Sequence, residues 1–277
     1  MLHALTIEPI VRAALAEDLG RGGDLTTDSI VPAEHMATAR IAARREGRVA
    51  GLEAALIAFR LLDPAMEAAV ACADGADVPA GATIATLTGR ARALLTAERT
   101  GLNLMGRLSG IATATRALVR EVEGTKARIV CTRKTTPGLR ALEKWAVRLG
   151  GGFNHRFGLD DAVLVKDNHI AVAGGIRAAV ERVRANTGHM VKVEVEVDTL
   201  DQLEELLSLP VDVVLLDNME PQTLRRAVAM VNGRMLTEAS GNISLETVRA
   251  VAETGVDMIS AGWLTHSAPN LDLGLDM

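Results

Sequence analysis

The sequence predicts an α/β protein made of two parts. The first observation is a change of rhythm near residue 127, because helical and strand patterns follow one another irregularly before it and alternate after it. The second is that six apolar, strand-like runs in the later part are mostly separated by amphipathic helical patterns. Repeated βα units of this kind imply parallel strands with helices outside them. A hydrophobic content of 48% in 277 residues is ample for such cores.

The N-terminal part is predicted to be an α+β domain. Residues 6–19 have apolar side chains at helical spacing, and a glycine-rich loop, GRGGDLTTD, follows them. ATARIAAR, MEAAVAC and ATIATLTG have the character of strands, whereas GLEAALIAFRLLD has that of a helix. A long helical pattern over residues 91–122 joins this part to the next.

The later part predicts six βα units. The six strand-like runs are 128–132, 162–166, 191–197, 212–217, 235–239 and 257–261. Helical patterns cover 138–149, 175–186, 199–207, 221–231 and 244–254. This arrangement favours a barrel related to the (β/α)8 fold with fewer strands, and an open doubly wound sheet is the alternative. The dinucleotide-binding version of that alternative has no support, since no G-x-G-x-x-G follows the first strand.

Composition limits the classes of function. The formal net charge is −5 and only 2% of residues are aromatic, which disfavours nucleic acid as a partner. Cys72 and Cys131 lie far apart and are expected to be buried, reduced thiols. The N-terminus is an amphipathic pattern without the features of a signal peptide, and no apolar stretch is long enough to span a bilayer. We therefore expect a cytoplasmic protein with no membrane partner.

Polar residues collect where the predicted strands end. They are Thr132, Arg133 and Lys134 after the first, Lys166 after the second, Glu194 and Glu196 in the third, Asp217 and Asn218 after the fourth, Glu238 to Ser240, Gly241 and Asn242 in and after the fifth, and Ser260, Ala261 and Gly262 after the sixth. Ligands of parallel α/β proteins bind at the carboxyl ends of the strands. The sequence therefore predicts one site at this end.

The cations of this set predict a pocket for a multiply anionic ligand. The candidates are Arg133, Lys134, His155, Arg156 and Lys166, and residues 128–156 contain seven Lys or Arg but only one Glu. Three further cations recur four residues apart and are expected to form the solvent-facing side of one helix, namely Arg140, Lys144 and Arg148. Glycines 150–152 are expected to cap that helix rather than bind phosphate.

The carboxylates and small residues suggest a second, phosphorylated ligand. Glu194 and Glu196 interrupt VKVEVEV, and buried carboxylates need cations, a metal or hydrogen-bond donors. Glu196 and Asp217 could hold Mg²⁺, bind ribose hydroxyls or stabilise a carbocation. The turns SGN at 240–242 and SAG at 260–262 are suited to phosphate. No G-x-S-x-G elbow, Walker loop or H-E-x-x-H motif is present.

Long motifs over nearly the whole chain resemble one family. They are ERTGLNLMGRLSGIAT at 98–113, TRKTTPGLRALEKWAVRLGGGFNHRFGL at 132–159, DAVLVKDNHI at 161–170, VEVEVDTLDQLEEL at 193–206, VVLLDNM at 213–219, EASGNI at 238–243 and SAGWLTHS at 260–267. The chain thus resembles the quinolinate phosphoribosyltransferases. The resemblance implies transfer of a phosphoribosyl group from phosphoribosyl pyrophosphate to quinolinate, with loss of CO₂ and pyrophosphate, to give nicotinate mononucleotide for NAD synthesis.

The resemblance also implies an architecture and an assembly. It implies an N-terminal α/β sandwich domain, residues 1–110 joined by the C-terminal tail 268–277, and an open, TIM-like barrel of about six parallel strands over 111–267. It further implies a homodimer in which Arg99 is donated across the interface.

Carried over to this chain, the family's motifs imply a role for each site residue. Arg133, His155, Arg156 and Lys166 would surround the quinolinate carboxylates, with Thr132 beside them and Lys134 near the pyrophosphate. Glu196 and Asp217 would face the ribose and Mg²⁺, which is shared with phosphoribosyl pyrophosphate. The 5′-phosphate would lie against Ser240, Gly241 and Asn242 and against Ser260, Ala261 and Gly262. Lys134, Lys166, Glu196 and Asp217 would be the catalytic residues.

Two residues depart from the expected pattern, and two other functions compete. Trp263 and Phe153 are bulkier than expected and are predicted to pack beside the site. One competing function is that of a diverged relative acting on another acid, as in molybdenum transport operons, which the intact TRK, NHR and KDNH motifs oppose. The other is a noncatalytic phosphate-ligand binding protein, which would not need the carboxylate pair.

Overall fold

The computed structural model describes residues 2–277, and its secondary structure follows the predicted change of rhythm. The elements of the earlier part are, in chain order, α1 (Ala4–Leu19), α2 (Leu25–Ile30), β1 (Met36–Ala43), β2 (Gly47–Arg48), α3 (Leu52–Leu62), β3 (Glu67–Val70), β4 (Asp77–Val78), β5 (Thr83–Arg90) and α4 (Ala91–Glu121).

The later elements alternate between strand and helix. They are β6 (Arg128–Val130), α5 (Arg140–Leu149), β7 (Val163–Val165), α6 (Asp167–Ala173), α7 (Ile176–Asn186), β8 (Val193–Val197), α8 (Leu200–Leu206), β9 (Val213–Asp217), α9 (Pro221–Val231), β10 (Leu236–Ser240), α10 (Val248–Ala252), β11 (Met258–Ser260), α11 (Trp263–His266) and β12 (Leu273–Asp276).

The chain divides into two compact units. The first comprises the residues up to Arg116 together with Thr135–Gly151 and Leu264–Met277, and the second comprises Ala117–Lys134 and Gly152–Trp263. The domain boundaries given above, after residues 110 and 267, stay a prediction.

The first unit contains a four-stranded sheet in the order β12-β1-β5-β3. Its neighbouring strands are antiparallel, and Leu275 of β12 lies opposite Ile41 of β1, so the end of the chain completes the sheet. The second half of the predicted glycine-rich loop is the start of α2, which the sequence analysis missed. Asp24 caps this helix by accepting a hydrogen bond from the Thr27 backbone N–H at 2.9 Å. A capped helix of one and a half turns is too short to have a periodic apolar face.

The expected solvent-facing side of α5 is wrong for one of its three cations. Arg148 is exposed, but Lys144 is only 2% exposed and the neighbouring Glu143 is completely buried. Glu143 accepts hydrogen bonds from Arg107 Nε at 3.1 Å and from the Thr136 hydroxyl at 2.8 Å. A periodic pattern shows which residues share a face, but only the packing of α5 decides which face is covered.

The end of α5 agrees with the prediction of a helix cap. The Gly150 backbone N–H donates to the Ala146 carbonyl oxygen at 2.9 Å. A Cβ atom at Gly150 would lie 2.5 Å from the Thr115 Cβ atom, so close packing also requires glycine here.

The second unit contains the six parallel strands that the sequence predicts. Their order is β6-β11-β10-β9-β8-β7. In β8 the alternate residues Val193, Val195 and Val197 are fully buried, and Glu194 and Glu196 therefore lie on the opposite face. The helix α6 was not predicted, because DNH was interpreted only as a polar strand end.

Smaller predictions about packing can also be compared with the structure. Both cysteines are reduced thiols, and Cys131 is buried as expected, whereas Cys72 is only partly buried. The Phe153 ring lies 4.7 Å from the Arg128 guanidinium carbon, so Phe153 packs against a cation, although 37% of it is exposed. Over residues 2–277, none of the helices has the length and apolar character needed to cross a membrane.

Candidate active site

The carboxyl ends of the six parallel strands surround a cavity of about 380 Å³. The cavity is lined by Thr132, Arg133, Lys134, His155, Arg156, Leu164, Lys166, Glu196, Leu215, Asp217, Glu238, Ser240 and Ser260. Every strand of this sheet contributes a residue from its carboxyl-terminal half or from the segment just after it. Residues far apart in sequence therefore converge because parallel strands all end at one edge.

Most of the predicted site residues line this cavity, and a few do not. Gly241, Asn242, Ala261 and Gly262 lie within two residues of the lining residues Ser240 and Ser260 in sequence but are not themselves part of the lining. Arg99 belongs to α4 in the first unit, where its side chain is 63% exposed and lies against that of Glu98.

Arg133 and Arg156 form the cationic side of the cavity. Burial lowers the pKa of Arg156, and the neighbouring charge of Arg133 lowers it further. Arg156 Nη1 donates to the Ala162 carbonyl oxygen at 3.0 Å. Within residues 2–277, the buried Nε atoms of both arginines have no acceptor. Two crowded guanidinium groups with unused donors suit an anionic ligand.

His155 is held on both sides of its ring. Its Nδ1 accepts a hydrogen bond from the Arg156 backbone N–H at 2.7 Å, and its Nε2 lies 2.7 Å from Glu194 Oε2. An Nδ1 that accepts a hydrogen bond carries no proton, so the ring proton is on Nε2 and is donated to Glu194. His155 thus joins β8 to the backbone of Arg156.

The acidic side of the cavity is formed by Glu196 and Asp217. Glu196 Oε2 lies 3.3 Å from Lys166 Nζ. Burial raises the pKa of Glu196, Lys166 opposes this effect, and the charge of Asp217 raises the pKa further. Asp217 Oδ2 accepts a hydrogen bond from Asn218 Nδ2 at 2.6 Å. Glu196 and Asp217 are thus neighbouring carboxylates, and Lys166 is the cation next to Glu196. Such a pair of carboxylates can accept a divalent metal or hydroxyl groups.

The two predicted phosphate turns differ. After β10, Gly241 and Asn242 both have left-handed backbones, with φ of 94° and 53°. A Cβ at Gly241 would lie 2.1 Å from Asn218 Oδ1, so this turn needs glycine for its close approach to Asn218. After β11, by contrast, the Ala261 backbone N–H donates to the Val130 carbonyl oxygen at 3.0 Å. The expectation of a backbone donor for phosphate is therefore wrong for Ala261, because the sheet already uses it.

Sequence analysis placed Glu238 among the polar residues of the strand ends but gave it no role in the site. It lies in β10, is only 2% exposed and lines the cavity. Burial raises its pKa to about 8, with repulsion from Glu194 adding to the effect and His155 opposing it. The signal was present, since a glutamate in the apolar run MLTEA resembles Glu194 and Glu196 in VKVEVEV.

Comparison with known proteins assigns the chain to a family. Residues 24–109 match the N-terminal domain of quinolinate phosphoribosyl transferase, and residues 111–276 match its C-terminal domain. The chain belongs to the quinolinate phosphoribosyltransferase family. It is 45% identical over 276 residues to a probable nicotinate-nucleotide pyrophosphorylase (carboxylating) of Bacillus subtilis, covering 100% of this chain and 95% of that protein.

Other members of the quinolinate phosphoribosyltransferase family are similar to this chain in sequence and in structure. A nicotinate-nucleotide pyrophosphorylase (carboxylating) of Mycobacterium leprae is 46% identical over 275 residues, covering 96% of this chain and 95% of that protein. The crystal structure of NadC from Streptococcus pyogenes has a TM-score of 0.96 at 38% identity, covering 100% of this chain and 98% of that one. The enzyme from Francisella tularensis has a TM-score of 0.95 at 40% identity, with coverage of 100% and 97%.

Proposed function

We propose that this protein transfers the phosphoribosyl group of phosphoribosyl pyrophosphate to the ring nitrogen of quinolinate. The products are pyrophosphate, CO₂ and nicotinate mononucleotide, which enters NAD synthesis. The observation that carries the proposal is the single cavity in which Arg133, Arg156 and Lys166 lie with the carboxylates Glu196 and Asp217. Membership of the family supports it.

The cations of the cavity match the acid substrate. Quinolinate carries two adjacent carboxylates, and the paired arginines present unused N–H donors to such a dianion. Arg133, Arg156 and Lys166 bind these carboxylates and turn the ring nitrogen towards the anomeric carbon of the second substrate. Fixing both reactants in one geometry removes much of the entropic cost of a bimolecular reaction. His155 keeps Arg156 in place through its backbone.

The acidic pair serves the ribose. As the anomeric C–O bond breaks, its electron pair leaves with pyrophosphate and the ribose acquires positive charge. Glu196 and Asp217 stabilise this charge electrostatically. The new bond forms between the ring nitrogen and the anomeric carbon. Lys134 interacts with the departing pyrophosphate, and Ser240, Gly241, Asn242, Ser260 and Gly262 hold the 5′-phosphate.

The donor set fits Mg²⁺. The raised pKa of Glu196, caused by burial and by the nearby charge of Asp217, indicates two carboxylates that are short of positive charge. Carboxylate oxygens are the ligands that Mg²⁺ prefers, and Glu196 and Asp217 would hold it together with the phosphates of the substrate. When bound, Mg²⁺ supplies charge neutralisation for the pyrophosphate leaving group.

Loss of CO₂ follows from the new charge on the ring. Quaternising the ring nitrogen makes it an electron sink, so the bond between C2 and its carboxylate breaks and its electron pair stays at C2. A proton then takes the place of CO₂ at C2. Lys166, opposite Glu196, neutralises the departing carboxylate.

A direct assay tests this proposal against its competitors. Purified protein is incubated with phosphoribosyl pyrophosphate, Mg²⁺ and quinolinate labelled in its 2-carboxylate, and the release of labelled CO₂ and of pyrophosphate is measured. We expect the two products in equal amounts. Nicotinate in place of quinolinate is the control, and we expect no turnover with it. Turnover of a different acid alone would assign the chain to a diverged relative. Binding of phosphoribosyl pyrophosphate without release of pyrophosphate would make it a binding protein.

We propose further that the enzyme acts as a cytoplasmic homodimer, with Arg99 of each subunit completing the partner's site. Arg99 is exposed, and within residues 2–277 it forms an ion pair only with the adjacent Glu98, so it is accessible to a second subunit. Arg99→Ala and Glu196→Gln are each expected to be inactive alone. Co-expressed, they should regain about a quarter of wild-type activity, because half of the dimers then contain one intact site. No recovery in isolated heterodimers would refute the shared site.

A further inference from the structure

Glu238 is a carboxylic acid in the wall of a cavity whose proposed ligand is itself an anionic acid. It lies on β10, is 2% exposed and lines the same cavity as Arg133 and Arg156. None of the ion pairs within 4.0 Å joins Glu238 to an arginine or lysine in the described part of the chain, and its closest basic atom is His155 Nε2 at 3.9 Å. Its Oε1 atom is buried and has no hydrogen-bond partner there. An ionised carboxylate in this position would repel a dianionic ligand.

The groups facing Glu238 come from three neighbouring segments. They are Glu194 on β8, His155 in the segment after α5, and Ser260 at the end of β11. The proton on His155 Nε2 is already donated to Glu194, at 2.7 Å, and the opposite nitrogen accepts from the Arg156 backbone. The ring proton of His155 is thus used by Glu194, and no lysine or arginine of the described residues lies within 4.0 Å of Glu238.

We propose that Glu238 is an uncharged acid in the wall of the cavity, which donates a hydrogen bond from its carboxyl O–H to a carboxylate of the bound pyridine acid. Glu238 is thereby a residue that determines specificity for the acid, and this inference rests on the proposed function. The raised pKa, to about 8, agrees with an uncharged group at neutral pH. An uncharged donor adds recognition without another desolvated charge next to two crowded arginines.

The same three residues also have the spacing of a metal site. His155 Nε2 and carboxylate oxygens of Glu194 and Glu238 lie within 4.8 Å of one another, as the ligands of a metal ion do. The short hydrogen bond between His155 and Glu194 favours the proton over a metal, because Nε2 must lose its proton to become a ligand. Metal content of the purified protein therefore belongs in the test.

The experiment compares two replacements of Glu238 in the full-length enzyme. Glu238→Gln keeps an uncharged hydrogen-bond donor of the same shape, whereas Glu238→Leu keeps the volume and removes the donor. Asp257→Asn, at the amino end of β11, is the control, since that carboxylate is bound by Lys126 at 2.8 Å outside the cavity. The KM values for quinolinate and for phosphoribosyl pyrophosphate are measured separately from pH 6 to 9.5, and thermal unfolding is followed for each variant.

The expected results separate hydrogen bonding from structure. Glu238→Leu should raise the KM for quinolinate about tenfold or more, the size of a lost hydrogen bond to a charged group, and leave that for phosphoribosyl pyrophosphate within about twofold. In the wild type the KM for quinolinate should rise as the pH passes about 8, where Glu238 ionises. Glu238→Gln should stay near the wild-type KM at neutral pH and lose that rise. Asp257→Asn should keep both wild-type KM values and their pH dependence.

Several results would overturn the inference. They are an equal rise of both KM values in Glu238→Leu, an unchanged alkaline rise in Glu238→Gln, and a stoichiometric transition metal that Glu238→Gln releases. If Glu238→Leu does not fold, the pH profile of Glu238→Gln decides alone. If the wild type forms no nicotinate mononucleotide, the proposed function fails. In that case calorimetric binding of quinolinate by the wild type and Glu238→Gln at neutral and alkaline pH still tests Glu238.

Discussion

Both ends of the six-stranded sheet carry charged residues around a cavity, but the two ends use these charges differently. At the amino ends, a cavity of about 580 Å³ is lined by Lys126, Lys192, Asp212 and Asp257 among others. At the carboxyl ends, the smaller cavity of about 380 Å³ contains the candidate active site. Volume alone would therefore select the wrong end of the sheet.

Charges at the amino ends are paired. Asp212 lies 2.6 Å from Lys192 Nζ and 2.8 Å from Arg184 Nη2. Burial alone would raise the pKa of Asp212, but hydrogen bonds from Lys192, the Val193 backbone and Arg184 lower it to about 2. Burial of Asp257 is likewise outweighed by hydrogen bonds from Lys126 and Thr237, which lower its pKa. These carboxylates are stabilised in their charged form and connect neighbouring strands.

Charges at the carboxyl ends are left in part unsatisfied. Burial raises the pKa of Glu196 and of Glu238, and it lowers that of Arg156, so each group is less stable in its charged form than in water. Such strain is tolerated where a ligand supplies the missing partner. The direction of the pKa shifts, rather than the number of charges or the size of a cavity, therefore distinguishes the functional end of the sheet from the structural end.

The largest expected effect contrasts one arginine from each end. Arg133→Ala should lower kcat/KM for quinolinate about 10²–10³-fold, because it removes a desolvated guanidinium that binds a carboxylate. Arg234→Ala is the matched control, since Arg234 is exposed, lines the amino-end cavity and donates its side-chain hydrogen bonds to the Met230 and Val231 carbonyls at the end of α9. Steady-state kinetics measure both variants. Equal losses of activity would end the distinction between the two sets of charges.

Replacing a charge at the amino ends of the strands should instead lower the free energy of unfolding. The pKa of Asp212 falls from 3.8 to about 2 on folding, so its contribution is present above about pH 4 and is lost as the pH falls towards 2. Asp212→Asn should therefore lose about 2 kcal/mol of unfolding free energy at neutral pH and differ less from the wild type in acid. Urea unfolding at several pH values measures this, and kcat/KM should not change. A catalytic defect with normal stability would contradict the structural role.

The smallest effect compares two asparagines with left-handed backbones. Asn218, with φ of 52°, donates to Asp217 at the carboxyl end, whereas Asn232, with φ of 45°, ends α9 next to the amino-end cavity. Replacement by glycine keeps both backbones unstrained. Asn218→Gly should raise the KM for phosphoribosyl pyrophosphate up to about tenfold by freeing Asp217, and Asn232→Gly should leave it unchanged. Similar KM values in the two variants would show that Asn218 serves only its turn.

Much of the second unit could be predicted because its signals are local. The spacing of apolar residues that indicates a strand or a helix involves only residues close together in the sequence. The cations and carboxylates of the site lie where apolar runs such as RIVCT and AVLVK end. Parallel strands then bring these ends together, so convergence of Arg133, Arg156, Lys166, Glu196 and Asp217 in one cavity needed no further information. The short helices α2 and α6 were missed because a segment of six or seven residues is too short to show the helical spacing of apolar residues.

By itself, then, the sequence determined the six parallel strands, most of the helices between them and the set of charged residues at the strand ends. Only the tertiary structure decided which of these charges are satisfied. It buried Lys144 and Glu143, used the Ala261 backbone N–H in the sheet, joined β12 to β1, and put Glu238 beside Glu194. The physical reason is that periodicity depends on adjacent residues, whereas burial and charge pairing depend on side chains that meet from distant parts of the chain.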